Sequence, residues 1–199
     1  MRRATLAVSM AMVGAGVLVL PSSALARFAG DVCALPTGSQ LTAAHVGGAC
    51  TRKRSTRSEH TPLGALTQEA FIGQWGQRTG EPIHSLTVSV TRIRGGSAVL
   101  AAARSKLRLQ IISEGAPVAV GSVASWHGST SSCVNPPTDD CTGVQVTAIV
   151  KHFVITVLLF DYPTGGNAEQ SGDDGEDLAQ EEADKVPAVA IARTVASRL

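Results

Sequence analysis

The chain has 199 residues, of which 44% are hydrophobic and 4% aromatic, and its formal net charge at pH 7 is +1. This near-neutral balance gives no support to nucleic-acid binding, which needs a marked basic excess. The few aromatic side chains also argue against a surface on which bases or sugars stack. The length is sufficient for one domain with its own hydrophobic core.

The N-terminal segment has the pattern of a secretory signal peptide. Two arginines precede an uncharged apolar run, residues 4–20, and small residues follow it up to Ala26. A positive start, an apolar middle and an Ala-x-Ala end predict export with cleavage after Ala26. A retained membrane anchor is the alternative, because the apolar run is nearly long enough to span a bilayer. We expect residues 1–26 to be a signal peptide and residues 27–199 to form one secreted, extracytoplasmic domain.

All the cysteines lie beyond the predicted signal peptide: Cys33, Cys50, Cys133 and Cys141. An even number of cysteines in an oxidising compartment favours disulfide bonds, although several pairings exist. Proximity along the chain favours Cys33–Cys50 and Cys133–Cys141. A metal site is the alternative, but no Cys-x-x-Cys or Cys/His spacing suits one. We therefore predict two disulfides, with no metal and no cofactor.

A short helix is the first element predicted after the signal peptide. Thr37 and Gln40 have the spacing of a capping box, in which each side chain bonds the backbone of the other residue. His45 then lies on or beside the packed face, and Gly47-Gly48 provides a C-terminal stop.

Residues 51–62, TRKRSTRSEHTP, are basic and polar, and we predict a loop there. A solvated loop without a partner is the favoured interpretation of such a charged run. The alternative is a contact surface for anionic envelope polymers or lipid head groups, formed by the cations Arg52, Lys53, Arg54 and Arg57.

The middle of the chain predicts a strand and then a helix. Residues 83–93 alternate apolar and polar, as a half-buried strand does. Gly95-Gly96-Ser97 follows and predicts a helix capped by Ser97 that ends near Lys106.

The next part of the chain is predicted to be strands. Residues 117–126 indicate one strand kinked at Gly121. Residues 143–150 and 152–160, joined at Lys151-His152, are rich in Val, Ile and Thr and predict an antiparallel hairpin.

The C-terminal part changes from acidic to apolar. Residues 164–184 carry many acids and few apolar residues, which indicates a solvated, partly disordered loop. Clustered carboxylates could instead bind Ca²⁺, but the order of residues in an EF-hand loop is missing. Helix resumes after Pro187, which suits a first-turn position, and an apolar stripe follows at helical spacing: Ala188, Ile191, Ala192, Val195 and Leu199. Because strands and helices do not alternate, we predict an α+β fold, an antiparallel sheet with helices packed on one face.

The stretch LTAAH, which ends at His45, resembles the segment that carries the general base of chymotrypsin-like proteases. A serine protease also needs a serine nucleophile at a tight turn and an acid that orients the histidine. The nearest counterpart of the nucleophile motif, SGDDGED at residues 171–177, has aspartate in place of serine, and no Gly-x-Ser-x-Gly elbow occurs. Too few residues lie between the predicted cleavage site after Ala26 and His45 for the strands that precede the histidine of such an enzyme. We predict no catalytic residues and a non-enzymatic protein.

The opening DVCALPTGSQLTAAHVGG and the strand VAVGSVASW together resemble a family of exported actinobacterial proteins and lipoproteins of unknown function. In that family a Cys-x-Leu-Leu-Thr opening leads into a short helix, and a Val-Gly-Asp-x-Ala strand follows. Pro36 and Ser122 depart from these motifs, and no lipidation motif precedes Cys33. More distantly, the chain resembles the extracellular sensor domains of mycobacterial serine/threonine kinases. The resemblance implies an α+β fold with disulfides and an open cleft suspected of ligand binding.

These patterns lead to two expectations about function. The first is a cell-envelope protein that binds a small ligand or an envelope component in a cleft between sheet and helices. Trp126 and the strands of the predicted hairpin are the candidate walls of that cleft. The second is a structural or protein-interaction protein with opposed basic and acidic surfaces.

Overall fold

The computed structural model describes residue 28 and residues 30–76, 83–132, 140–162 and 174–199. The predicted signal peptide, residues 1–26, lies outside this part of the chain. Cys133 and the side chain of Cys141 also lie outside it, so the second disulfide stays a prediction.

Within the described part, seven strands form one antiparallel sheet in the order β1-β2-β3-β7-β6-β5-β4. Three α-helices and one 3-10 helix, Val32–Ala34, accompany the sheet. This architecture confirms the predicted α+β fold class, with an antiparallel sheet and the Cys33–Cys50 disulfide. The strands are β1 (Thr51–Thr61), β2 (Gly64–Gly76), β3 (Ile83–Gly95), β4 (Ala116–Pro117), β5 (Val123–Ser132), β6 (Asp140–Val150) and β7 (Phe153–Tyr162), and the helices are α1 (Gly38–Ala43), α2 (Ser97–Glu114) and α3 (Asp174–Ser197).

The main core lies on one face of the sheet, which we call the first face. Strands β3, β6 and β7 alternate there between fully buried and half-buried residues, because successive side chains of a strand point to opposite faces. The predicted C-terminal stripe of α3 is confirmed, since it is buried against this face. The core residues of these elements are Leu86, Val88, Val90, Val144, Val146, Ala148, Ile155, Val157, Leu159, Ala188, Ile191, Ala192 and Val195.

Helix α2 lies against the opposite face, the second face, where Val99 packs with Leu66 and Ile93 in a separate cluster. Ile93 and Val90 are three residues apart on β3, so their side chains point to opposite faces of the sheet. The helices were predicted to pack on one face of the sheet. The structure divides them: α1 and α3 lie on the first face, and α2 lies on the second.

The hairpin β6–β7 is confirmed, with Lys151 and His152 as its turn and Ile149 paired with Val154. The predicted strand at 83–93 is also confirmed as part of β3. Both segments are rich in apolar β-branched residues whose side chains lie in the core on the first face. The sequence pattern therefore agrees with the burial in the structure.

Residues 51–62 are not the predicted loop, because residues 51–61 form β1, which pairs with β2 along its whole length. The sequence of β1 lacks apolar alternation since neither of its faces reaches the core, and nearly all of its residues are exposed. Backbone pairing with β2 decides its conformation instead.

Three boundaries near glycine and proline also differ from the predictions. Helix α2 continues to Glu114, and its N-cap is Gly96 without a side-chain cap from Ser97. The predicted strand at 117–126 is two strands, β4 and β5, which pair with each other across a turn at Gly121 (φ +59°).

The acidic loop prediction for residues 164–184 is wrong from residue 174 onward, where α3 begins, and residues 164–173 lie outside the described part. Pro187 lies inside α3 rather than in its first turn. The segment 174–186 contains good helix formers such as Ala, Leu, Glu and Gln. Burial of the stripe beyond Pro187 keeps the two parts of the helix continuous.

Candidate functional site

Residues 30–50, which precede β1, are attached to the first face by the predicted Cys33–Cys50 disulfide. The Cα atoms of the two cysteines are 5.8 Å apart. The predicted capping box of α1 is present: Thr37 accepts from the Gln40 amide and Gln40 accepts from the Thr37 amide. Helix α1 ends at Ala43, four residues before the predicted stop at Gly47, and His45 beyond its end adopts a left-handed conformation with φ 51°. His45 is exposed there, on the C-terminal turn of α1.

Helix α2 approaches the β1–β2 hairpin closely because two glycines leave room for Val99. A Cβ atom on Gly64, which has φ +125°, would lie 3.3 Å from the Val99 side chain. A Cβ atom on Gly95 would lie 3.0 Å from the carbonyl oxygen of Ala65 and 3.3 Å from Val99. A side chain at either position would therefore push the start of α2 away from the sheet.

The middle of α2 is anchored to the β6–β7 turn. The Arg104 guanidinium donates to the carbonyl oxygen of Lys151 at 2.9 Å and lies 2.7 Å from Nδ1 of His152. On this side the contact between helix and sheet is nearly closed, since the cavity beside Leu100 and Arg104 measures only about 10 Å³.

On the other side of α2 a groove of about 600 Å³ separates the helix from the β1–β2 hairpin. Buried Leu66 and Val99 contribute to its apolar lining, Leu107 is half-buried, and Leu63 at the hairpin turn is 57% exposed. This volume lies in the usual range for small-molecule sites, about 300–1,000 Å³. We call it the hairpin groove.

The polar lining of the hairpin groove is mainly basic. Arg57 of β1 and Lys106 of α2 are both exposed, and neither forms an ion pair with a described residue. Glu59 is the acidic side chain of the lining, and Gln68 and Gln110 complete its polar groups. The hairpin groove thus combines an apolar interior with two cations at its border.

A different cluster of charges lies on the first face, around the buried carboxylate of Glu69. Arg54 donates a hydrogen bond to Oε1 of Glu69, and Arg92 and Arg94 approach Oε2 at 3.6 and 3.5 Å. The side chain of Glu69 is 9% exposed. The guanidinium groups of Arg54 and Arg92 also lie over the ring of Phe71, at 5.3 and 5.7 Å from its centroid.

These arginines lower the pKa of Glu69 below its ordinary value. The hydrogen bond from Arg54 is the largest cause, and the positive charges of Arg54, Arg94 and Arg92 act in the same direction. Burial acts in the opposite direction, because it disfavours the ionised form. The cluster is therefore a charged contact between three adjacent strands that keeps Glu69 ionised.

The four cations of the alternative contact surface divide between the two faces of β1. Arg54 contacts Glu69, and Arg52 forms a paired contact with Asp31 at 3.0 and 3.2 Å. Lys53 and Arg57 point to the other face, and neither forms an ion pair within the described part of the chain. Two of the four predicted cations are thus available to a partner, and of these Arg57 lines the hairpin groove.

Trp126 is not part of the hairpin groove. Its ring packs against the core of the first face and lies under Lys185 of α3, whose Nζ is 4.4 Å from the ring centroid. The hairpin strands β6 and β7 do not line the groove either.

Sequence reasoning missed the groove residues of β2 because that strand was not predicted. Its weak signal is Phe71 and Trp75, which lie four residues apart and therefore on the same face of a strand. The apolar Ile72 between them, and Leu66, which faces α2, obscure this signal.

Comparisons with known proteins add no identity to this geometry: no family model matches the chain, and no curated protein or solved structure is significantly similar to it. In the described ranges, His, Cys, Asp and Glu side chains do not gather in a group of three or more that could hold a metal ion. A search of the same ranges for a helix of sufficient length and hydropathy to cross a membrane found none.

Proposed function

We propose that this protein is exported, is not an enzyme, and binds an anionic amphiphile of the cell envelope in the hairpin groove. The observation that carries the proposal is the combination of an apolar lining with the cations Arg57 and Lys106, which have no ion-pair partner among the described residues, in a groove of about 600 Å³. An acyl chain would bury apolar surface against Leu66 and Leu107, at about 25 cal/mol per Å². An anionic head group would then bind at the border, beside the two cations.

The predicted signal peptide and the Cys33–Cys50 disulfide support an extracytoplasmic setting. The resemblance to exported actinobacterial proteins is consistent with the same setting. The non-enzymatic part of the proposal is supported by the sequence, which lacks the serine motifs that a His45-based hydrolase would need.

Calorimetric titration with two lysolipids of equal acyl chain tests the proposal. We expect lysophosphatidylglycerol, which is anionic, to bind more tightly than zwitterionic lysophosphatidylcholine. Ala102→Trp, at an exposed lining position of α2, should fill the groove and weaken binding at least about tenfold, a loss of about 1.4 kcal/mol. The control is Ala101→Trp, the same change at the next exposed position, which does not line the groove.

Charge reversal tests the head-group site separately. Lys106→Glu should remove the preference for the anionic lysolipid, whereas Arg108→Glu, an equal charge change on the same helix outside the groove, should retain it. Failure of both lysolipids to bind, or equal loss with Ala101→Trp and Ala102→Trp, would overturn the proposal.

A second candidate function is protein interaction through charged surfaces, and the exposed cations of β1 favour it. Lys53 and Arg57 have no ion-pair partner among the described residues, and half of the acidic residues, eight of 16, lie near the opposite end of the chain, between residues 169 and 184. Binding of the protein to an acidic resin tests this function. Weaker binding with added salt, and weaker binding of the Lys53→Glu variant, would support it.

A further inference from the structure

We propose that the outer edge of β1 binds an extended acidic segment of a partner protein, which joins the sheet as an eighth strand. Strand β1 is at one end of the described sheet and β4, with two residues, is at the other. An edge strand presents backbone N–H and C=O groups that another strand can pair with. With eleven residues, β1 is the long edge of this sheet.

The backbone of β1 is suited to such pairing. Its residues 51–61 include neither proline nor glycine, so no position interrupts the row of backbone donors and acceptors. It pairs with β2 one residue to one along its whole length, without a bulge that would turn the edge away. In an antiparallel ladder every second residue directs both of its backbone groups to the same neighbour, so about half of these residues face outward.

The charges of β1 select the partner. Arg52 and Arg54 on the first face are neutralised by Asp31 and Glu69, whereas Lys53 and Arg57 on the second face have no ion-pair partner in the described ranges. A second copy of β1 would bring the same basic excess and be repelled, while an acidic segment would be attracted. The charge pattern therefore favours an acidic partner over self-association.

The spacing of the cations predicts a pattern in the partner. Lys53 and Arg57 lie four residues apart on one face of β1, about 13 Å along an extended strand. Directly opposite side chains in neighbouring strands have Cβ atoms about 5 Å apart, close enough for ion pairs. The partner segment should therefore carry Asp or Glu at positions i and i+4, with neutral residues opposite Ser55 and Glu59.

Fluorescence anisotropy of labelled ten-residue peptides with the full chain tests this pattern. We expect a threonine-rich peptide with glutamates at i and i+4 to bind. The same composition with glutamates at i and i+3, which lie on opposite faces of a strand, should bind at least about tenfold more weakly. Two further peptides carry N-methyl groups at alternate backbone nitrogens, one peptide at the odd positions and the other at the even positions. Only the peptide in which the methyl groups replace the hydrogens that are donated to β1 should lose binding.

A variant set separates this edge from the hairpin groove. Lys53→Glu should weaken peptide binding at least about tenfold, whereas Arg108→Glu on α2 should leave it unchanged. Lys53 does not line the groove, so lysolipid binding should survive Lys53→Glu, and peptide binding should survive Ala102→Trp. The two proposals can thus fail independently.

Three results would overturn the proposal. One is equal affinity for the i,i+4 and i,i+3 peptides, which would indicate charge attraction without strand pairing. Another is a dimer in light scattering that Lys53→Glu dissociates, which would make a second copy the occupant of the edge. The last is binding to phosphatidylglycerol vesicles through Lys53 without binding of either peptide, which would make a membrane surface the partner.

Discussion

The side-chain amide of Gln40 donates a hydrogen bond to the hydroxyl of Thr194 at 2.7 Å, across 154 residues of sequence. The same amide group donates to the carbonyl oxygen of Ala190 at 3.0 Å, while its oxygen accepts from the Thr37 amide at 2.9 Å. One side chain therefore completes the capping box of α1 and attaches α1 to α3.

Removal of this side chain should weaken both contacts. We expect Gln40→Ala to lower the free energy of unfolding by about 2 kcal/mol, because a cap and two further hydrogen bonds are lost. Thr194→Val, which removes only one partner, should lower it by about 1 kcal/mol. Urea unfolding of both single variants and the double variant should give a coupling energy near 1 kcal/mol, and additive effects would contradict the contact.

The Glu69 cluster should make stability depend on acid pH. The folded protein holds the pKa of Glu69 below its ordinary value, so at acid pH the native state binds fewer protons than the unfolded chain. The stabilisation is fully present above the ordinary carboxyl pKa and is lost as pH falls through the lowered pKa. Urea unfolding between about pH 2 and pH 7 should show this loss, and Glu69→Gln should reduce it.

A control for that series is Glu59→Gln, which removes a carboxylate of β1 outside the arginine cluster. This variant should keep the acid-dependent loss of stability. An unchanged pH profile in Glu69→Gln would show that the cluster does not contribute to acid stability.

The Cys33–Cys50 disulfide should stabilise the packing of residues 30–50 against the first face. The cysteines are 17 residues apart, so Cys33→Ser/Cys50→Ser should lower the free energy of unfolding by about 3 kcal/mol through the loop entropy of the unfolded chain. Denaturant unfolding under oxidising conditions measures this loss. A further loss when reductant is added to the double variant would report the predicted Cys133–Cys141 disulfide.

The β6–β7 turn contains a backbone conformation that its residue does not favour. Lys151 has φ 52°, in the left-handed region, which costs a non-glycine residue about 1 kcal/mol. The contact from Arg104 goes to the backbone carbonyl of Lys151 and does not need the lysine side chain. Lys151→Gly should therefore raise the free energy of unfolding by about 1 kcal/mol, measured as a higher urea midpoint.

Two further variants at this position act as controls. Lys151→Asn should be at least as stable as the parent chain, since Asn tolerates the left-handed region, and Lys151→Val should be less stable, since a β-branched residue does not. A different order of stabilities would contradict the strained turn.

Much of the fold was predictable wherever local pattern and burial agree. The stripe from Ala188 to Leu199 and the hairpin at Lys151-His152 are apolar segments whose period matches their buried faces. The capping box of Thr37 and Gln40 is also local, because its bonds span three residues. Contacts of this range leave a signature in a short stretch of sequence.

The candidate site was harder to predict because its parts have no local signature. Residues 51–61 have the composition of a loop, and only pairing with β2 makes them a strand. The alternation of β2 is obscured because Leu66 faces α2 and Phe71 faces the main core. The hairpin groove therefore lies between strands that sequence patterning misses and helix α2. The start of α2 was predicted, but its packing against the β1–β2 hairpin was not.

The sequence by itself determined the α+β class, the strongest strands, the helix stripe and the nearest-neighbour disulfide. The tertiary structure decided that the basic segment is an edge strand, that Glu69 lies between three arginines, and that α2 covers the second face. The physical reason is the range of the interactions. Caps, periodic burial and short disulfide loops are set over a few residues, whereas strand order, ion-pair clusters and grooves join residues from distant parts of the chain.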